Sequence, residues 1–431
     1  MNGERGTGDL EGVIARASRR LMPLLFLIYV VNFLDRINVS FAALQMNRDL
    51  GFSASVYGFG AGIFFLGYVT FGIPANALLL RVGVRRWMGG IMVVWGLISA
   101  ATALVHTPAQ FYLVRTLLGF AEAGFFPGMI YYLGRWFPLE ARARAVSRFM
   151  VAIPAAGLIG GPVSGAILGL DGIGGIAGWR WLFLLEALPA VILGLAAFRL
   201  LVEGPADAGW LTAEERGMLT AALEAEHRAT PATRPAGLLQ ALGQPAIWAI
   251  ALCWFCLVLV GYGWTLWLPQ VLKERSGESN LAVGFLSSLP HIAGIAGALL
   301  VAASSDRSGE RRLHVVLPAA LMILGLCGVA ATRSVPLTVA GFALVSATQC
   351  GVWGPFWTMP GDYLRGAALA TAVALINSIG NIGGFAGPYL MGLLRERTEN
   401  YSQGLLALAA IQTVGLALAL ALWWFRPRRA P

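Results

Sequence analysis

Charge is scarce in this chain of 431 residues. Lys, Arg, Asp and Glu together supply 12% of it, roughly half the usual share of a soluble domain. A water-soluble protein of this length needs a polar shell that so few charges cannot provide, which argues against a soluble enzyme, a nucleic-acid binder and a disordered chain. Lysine is almost missing: Lys273 stands alone, and Leu272 precedes it. The Gly-Lys step of a phosphate-binding loop is therefore lacking, and with it ATP hydrolysis through such a loop. Cysteine is equally sparse. Cys253, Cys256, Cys327 and Cys350 all lie in apolar runs, and Cys253-x-x-Cys256 has no βαβ pattern around it, so the pair reads as buried and inert. His106, His227, His291 and His314 are scattered without ligand spacing, so neither a metal nor another cofactor is expected. The apolar run 21–34 has the length of a signal-peptide core, but Asp35-Arg36 follows where a small-residue cleavage site would be needed.

What the chain has is hydrophobicity. Apolar residues make up 57% of it, about enough for twelve membrane helices of some 20 residues each. Runs long enough to cross a bilayer fall at 21–44, 57–80, 86–105, 109–133, 145–168 and 179–201, then at 245–271, 281–303, 313–331, 336–359, 368–394 and 402–425. The expected organisation is a tail over 1–20, a six-helix bundle over 21–201, a central loop over 202–243, a second bundle over 244–425 and a tail over 426–431. Within the loop, Thr212 and Glu215 are spaced as a capping box, which predicts an amphipathic surface helix.

Two counts organise these segments. If both termini lie on one side, the loops on that side hold 22 Lys and Arg and the opposite loops hold 7. That bias predicts cytoplasmic termini in a plasma (inner) membrane and accounts for much of the +9 net charge. The halves also repeat. Arg81-x-Gly83-x-Arg85-Arg86 returns as Arg307-x-Gly309-x-Arg311-Arg312, and Gly157-x3-Gly161-Pro162 returns as Gly383-x3-Gly387-Pro388, both displaced by 226. Two unrelated motifs sharing one offset identify two parallel six-helix repeats, all-α throughout.

Few ionisable residues fall inside the spans: Asp35, Arg36, Arg115, Glu122 and Glu186. Each is costly in lipid unless it faces a partner or a water-filled cavity. Arg115, Gly119 and Glu122 share one face of segment 4, while Asp35 and Arg36 diverge by about 100° on segment 1. Arginine binds carboxylates and a desolvated acid exchanges protons, so these groups suggest a proton-and-anion site; the alternative is a set of structural interhelical salt bridges. Glu186, beside Trp181 and Phe183, reads as structural. The second half offers aromatic and amide groups: Tyr262, Trp264 and Trp267 on segment 7, Gln349, Trp353 and Trp357 on segment 10, and Asn377 and Asn381, four apart, on segment 11. Interfacial belt positions are the competing reading for the tryptophans.

These motifs carry a resemblance. Asp306-Arg307-x-Gly309-x-Arg311-Arg312, the run Arg115-x3-Gly119-x3-Ala123 and the doubled plan resemble the major facilitator superfamily. The runs Asn32-Phe33-Leu34-Asp35-Arg36-Ile37-Asn38, Gly67-Tyr68, Pro74-x-Asn76, Ala121-Glu122-Ala123-Gly124-Phe125-Phe126-Pro127-Gly128, Trp136-Phe137-Pro138 and Trp267-Leu268-Pro269-Gln270 narrow it to the anion:cation symporter family. That family includes bacterial permeases for hexuronates, galactonate, glucarate, tartrate and phthalate.

The resemblance implies a transporter, not an enzyme: proton-coupled uptake of a small organic anion by alternating access, working as a monomer in the lipid bilayer. Asp35 and Glu122 fall at the family's proton-carrying acids, with Arg115 pairing with them. Arg36 would bind the substrate carboxylate, with Tyr68, Trp357 and Asn377 as pocket contacts. Tyr262, Trp264, Trp353 and Asn381 are further candidates for the pocket wall. Arg81, Gly83, Arg85, Arg86, Asp306, Arg307, Gly309 and Arg311 would form the cytoplasmic gates. The chain departs from the pattern at Leu80, where the superfamily motif has Asp, and at Ala152-Ile153-Pro154, where sugar-acid members carry a polar residue. The second departure favours a shorter hydroxy-diacid or an aromatic acid over a long polyol. Export or exchange of organic anions or amphipathic compounds is the alternative, since the segment 5 Gly-Pro motif is associated with antiporters.

Overall fold

The computed structural model describes residues 4–229 and 237–422. It contains twelve helices long and apolar enough to span a membrane. The first half comprises α1 (Leu10–Leu50), α2 (Ala54–Val82), α3 (Val84–Leu104), α4 (Pro108–Trp136), α5 (Leu139–Leu168) and α6 (Gly178–Leu200). The second comprises α7 (Pro245–Thr265), α8 (Asn280–Ser308), α9 (Leu313–Ala331), α10 (Val335–Asp362), α11 (Ala368–Thr398) and α12 (Ser402–Ala421). Side chains such as Ile73, Leu104 and Leu300 face outward, as a lipid-solvated surface requires, whereas Trp95, Trp136 and Trp179 fill the interior.

Two local details differ from the expected boundaries. The helix carrying α1 begins at Glu4, so the described part of the N-terminal tail is helical and continuous with the first span. The α7 helix ends at Thr265, and a new short helix, Leu268–Ser276, starts with Pro269 in its first turn; proline suits a helix start and interrupts a helix interior. The 426–431 tail lies outside the described residues, as does 230–236 of the central loop. The capping box is present: Glu215 N donates to Thr212 Oγ1 at 3.2 Å and Thr212 N to Glu215 Oε2 at 2.9 Å. The helix they open, Ala213–Ala229, is held to the first half through the Arg16–Glu215 and Arg142–Glu226 ion pairs.

The halves meet along two repeat-related crossings, α2 with α11 and α5 with α8. At the second, Gly161 and Gly284 lie so close that a Cβ on either would strike the other's carbonyl oxygen. At the first, a Cβ on Gly58 would meet the Pro388 carbonyl, and Gly58 and Gly284 are themselves 226 apart. Small residues let backbones pack this tightly in a bilayer, where dispersion contacts replace the hydrophobic effect as the driving force. Cross-half hydrogen bonds gather at the end remote from the termini. Tyr57 Oη donates to Leu266 O at 2.7 Å, and Glu396 Oε2 accepts from Ser53 Oγ and Ser55 N, each at 2.9 Å. Glu396 thus closes the N-terminus of a helix in the opposite half, where its negative charge meets unpaired N–H groups. That end of the bundle is sealed.

Candidate functional site

The α1 face decides which ionisable groups can meet. Asn32 and Arg36 are four apart and project together; Asp35 and Asn38 project to another side. On the first face, Arg36 Nε donates to Glu122 Oε2 at 2.7 Å and Asn32 Nδ2 donates to the same oxygen at 2.8 Å. Glu122 is fully buried, as is Asn32. On the second face, Asp35 accepts from Asn38 Nδ2 at 3.0 Å and from Ser99 Oγ of α3. Asp35 therefore faces α3 inside the first half, separated from the Arg36–Glu122 pair by the turn of one helix.

Aromatic rings hold the arginines in place. The Arg36 guanidinium lies 5.0 Å from the Tyr68 ring centroid and 5.4 Å from that of Phe64, and Arg115 lies 5.1 Å from Phe64. Phe64 thus attracts both cations through its π face, an interaction that strengthens away from water. Arg115 is 1% exposed, and its nearest polar partner is the Ala61 carbonyl at 3.5 Å. Among the described residues it forms no ion pair, so the expected pairing of Arg115 with the acids is replaced by Arg36–Glu122. The reason is geometric: seven residues along a helix separate Arg115 from Glu122 by about 10 Å of rise, whereas the Arg36 and Asn32 side chains of α1 reach Glu122 directly. Gly119, between them, presses against the Phe64 carbonyl and seats this face on α2.

Several polar atoms at the centre have no hydrogen-bond partner among the described residues: Arg36 Nη2, Glu122 Oε1, Asn32 Oδ1 and Arg115 Nε. The Arg36 fork spends its Nε edge on Glu122 and leaves an outer nitrogen free. The α-helix carrying Glu122 ends at that residue, and a new helix begins at Phe125. Backbone irregularity at membrane depth is tolerated where protein buries it or where it lines a cavity. Glu186 accepts from Ser164 Oγ at 2.7 Å inside the first half, with no ion-pair partner among the described residues.

The second half contributes unevenly. Tyr262 packs on Phe65 of α2 at 4.2 Å between ring centroids and so stands at the junction of the halves. Trp264 is turned into its own half: it is 3% exposed, its Nε1 donates to Gln349 Oε1 at 2.6 Å, and its ring stacks on Phe342. Trp357 meets Trp254 edge to face at 4.9 Å, and Trp353 is half-buried on the same helix. Asn381 Nδ2 donates to Asn377 O at 2.9 Å, so the two amides share a face of α11 as their spacing predicts. Asn32, Phe64 and Ser99 were not singled out from sequence. Only Asn32 carried a signal, a polar residue one turn before Arg36 in an apolar run.

The two gate loops differ in how they cap the next helix. In the second half Gly309 takes a positive φ of 67°, Glu310 accepts from Arg312 N and Leu313 N at 3.0 and 2.6 Å, and Asp306 pairs with Arg311 at 2.6 Å. In the first half Gly83 has φ 85°, and the caps come from Glu203, beyond α6, which accepts from Val84 N at 3.1 Å and Arg85 N at 3.0 Å. Leu80, standing where Asp306 stands in the repeat, is 67% exposed. Arg81, Arg85, Arg86 and Arg307 are exposed. Cys253 and Cys256 are free and buried, and no group among the described residues has the makings of a metal site.

Comparison with known proteins agrees with this architecture. The family profile for the Major Facilitator Superfamily matches residues 25–388 and 282–431. A protein named "Putative tartrate transporter" from Agrobacterium vitis is 42% identical over 415 residues, covering 96% of this chain and 95% of that protein. A quinolone resistance transporter from Acinetobacter baumannii is 40% identical over 411 residues, covering 95% of this chain and 94% of its own length. Among solved structures, an inward-facing, occupied bacterial homologue of the human lysosomal transporter Spinster aligns with a TM-score of 0.78 at 16% identity, covering 95% of this chain and 98% of that one.

Proposed function

Because the chain belongs to the major facilitator superfamily, and is thus a multi-pass membrane transporter, we propose that it couples proton entry to uptake of a small organic anion by alternating access. One observation carries the reading. Glu122 occupies Arg36 through Nε while Arg36 Nη2 remains free. A substrate carboxylate and the Glu122 carboxylate compete for one guanidinium in a site with little water. Protonating Glu122 removes its charge, leaves Arg36 available for a bidentate pair with the substrate, and makes the loaded site electrically affordable in the membrane. Proton and anion then travel together.

Tyr68 on one wall and Tyr262, Trp353, Trp357, Asn377 and Asn381 on the other bound the space that the substrate occupies. The Agrobacterium vitis relative favours a short hydroxy-diacid, and tartrate is the first compound to try. The Acinetobacter baumannii relative keeps export of aromatic, amphipathic acids as the second reading. The 22-to-7 distribution of basic residues supports cytoplasmic termini in the inner membrane. The test is reconstitution in liposomes with labelled tartrate. An inward proton gradient should accelerate entry and a protonophore should abolish the acceleration. Sodium dependence without a pH response, or movement of quinolones but not of tartrate, would overturn it.

A further inference from the structure

His291 lies on α8, eleven residues in from Asn280. Glu122 lies fourteen residues in from Pro108 on α4, and Arg36 fourteen residues before Leu50 on α1. Counted from the sealed end at about 1.5 Å per residue, the three stand within roughly 5 Å of the same depth. All the Asp, Glu, Lys and Arg at that depth belong to the first half. Among the described residues of the second half, His291 is the one basic side chain at that depth.

Its surroundings are unusual for a packing residue. The imidazole is 9% exposed, and neither ring nitrogen has a hydrogen-bond partner among the described residues. It sits on the boundary between the halves. A Cβ on Gly157 of α5 would overlap the ring, with Cε1 and Nδ1 both at 2.5 Å, and the Trp264 ring lies 6.0 Å away on the other side. Gly157 therefore opens a slot in the first half for a side chain of the second. With neither nitrogen engaged by a described protein group, the ring keeps its hydrogen-bonding capacity for a ligand. Among the described residues no carboxylate or basic side chain forms a hydrogen bond or ion pair with it, and its ring lies between Trp264 and the Gly157 slot.

We propose that His291 is a specificity-determining residue of the transport site, donating a ring N–H to the second carboxylate of a short dicarboxylate whose first carboxylate is held by Arg36. The inference rests on the reading of the chain as an organic-anion transporter. A diacid bridging Arg36 and His291 touches both halves, so loading it changes the contact between them. A monocarboxylate of the same chain type engages Arg36 alone and leaves His291 unpaired.

The experiment compares exchange of tartrate with exchange of glycerate, which lacks one carboxylate, in liposomes containing the full chain. His291→Phe keeps a flat ring and removes the donor. It should weaken tartrate at least tenfold while leaving glycerate within twofold of wild type, and His291→Gln, which restores an N–H donor, should recover part of the loss. An unchanged tartrate-to-glycerate ratio in His291→Phe overturns the proposal. As a check independent of mutant folding, the His291 resonance of the wild-type protein labelled in its histidines should move on addition of tartrate and stay in place with glycerate; equal response to both, or to neither, would also overturn it. If folded wild-type protein exchanges neither acid, the parent reading fails and this inference with it.

Discussion

Arg36 and Glu122 form a buried ion pair in which one carboxylate oxygen takes both the arginine Nε, at 2.7 Å, and the Asn32 amide, at 2.8 Å. Glu122 Oε1 and Arg36 Nη2 are left without hydrogen-bond partners among the described residues. Such a pair is a weak source of stability, since desolvating two charges offsets most of their attraction. It is well suited to be broken and remade by a third charge.

Arg36→Lys should separate binding from folding. Lysine keeps the charge but replaces a planar fork with a single ammonium, which cannot hold Glu122 at one edge and a substrate carboxylate at the other. Losing one charge-assisted hydrogen bond costs about 1.5–3 kcal/mol, which is roughly a tenfold to hundredfold loss of substrate affinity. Thermal unfolding of purified protein should change little. An unaltered binding constant for an organic acid would remove Arg36 from the site.

The glycine contact between α5 and α8 should report on the sealed end. Gly161→Val forces a side chain against the Gly284 carbonyl, and overpacking of this kind costs about 1–3 kcal/mol. The halves should then part at the end remote from the termini. A cysteine placed at Ser53, whose hydroxyl donates to Glu396 at 2.9 Å, should gain reactivity toward a membrane-impermeant thiol reagent in the Gly161→Val background. Equal labelling in both backgrounds would mean the contact does not govern closure.

Much of this was legible in sequence. Composition and the 226-residue offset gave the span count and the doubled plan, and Thr212 with Glu215 gave the surface helix, because each rests on local pattern. Asp35, Arg36 and Glu122 stood out because charge is so rare inside the spans. Their pairing was less accessible. Which of Asp35 and Arg36 faces α4 depends on the rotation of α1, and nothing local fixes that rotation. Arg115 was expected beside the acids from its helical face, yet two helical turns separate it from Glu122. His291 gave no signal because its significance comes from an absent Cβ at Gly157, 134 positions away in the chain.

Glu203 illustrates the same limit and yields a prediction. The first-half loop lacks the acid that the repeat carries at Asp306, and the helix that follows takes its cap from Glu203, just past the end of the neighbouring α6. Glu203→Ala should cost about 1 kcal/mol, as loss of a helix cap does, and should lower the thermal midpoint. Glu310→Ala should act similarly on α9. A Leu80→Asp exchange, which restores the repeat's acid beside Arg85, should offset part of the Glu203→Ala loss; no recovery would show that the two devices are not equivalent.

The sharpest test of coupling is Glu122→Gln. Glutamine has nearly the shape of the protonated acid, accepts a hydrogen bond through its carbonyl oxygen and has no proton to release. Arg36 then faces a neutral neighbour at every pH, so substrate binding should persist and lose its dependence on proton concentration. Exchange of labelled for unlabelled anion involves no net proton movement and should continue. Net uptake driven by a proton gradient needs Glu122 to load a proton on one side and shed it on the other, and should fail. Loss of exchange and gradient-driven uptake together, in folded protein, would assign the Arg36–Glu122 pair to structure. Survival of both would instead move the coupling proton to Asp35, whose Ser99 and Asn38 partners place it against α3, away from Arg36.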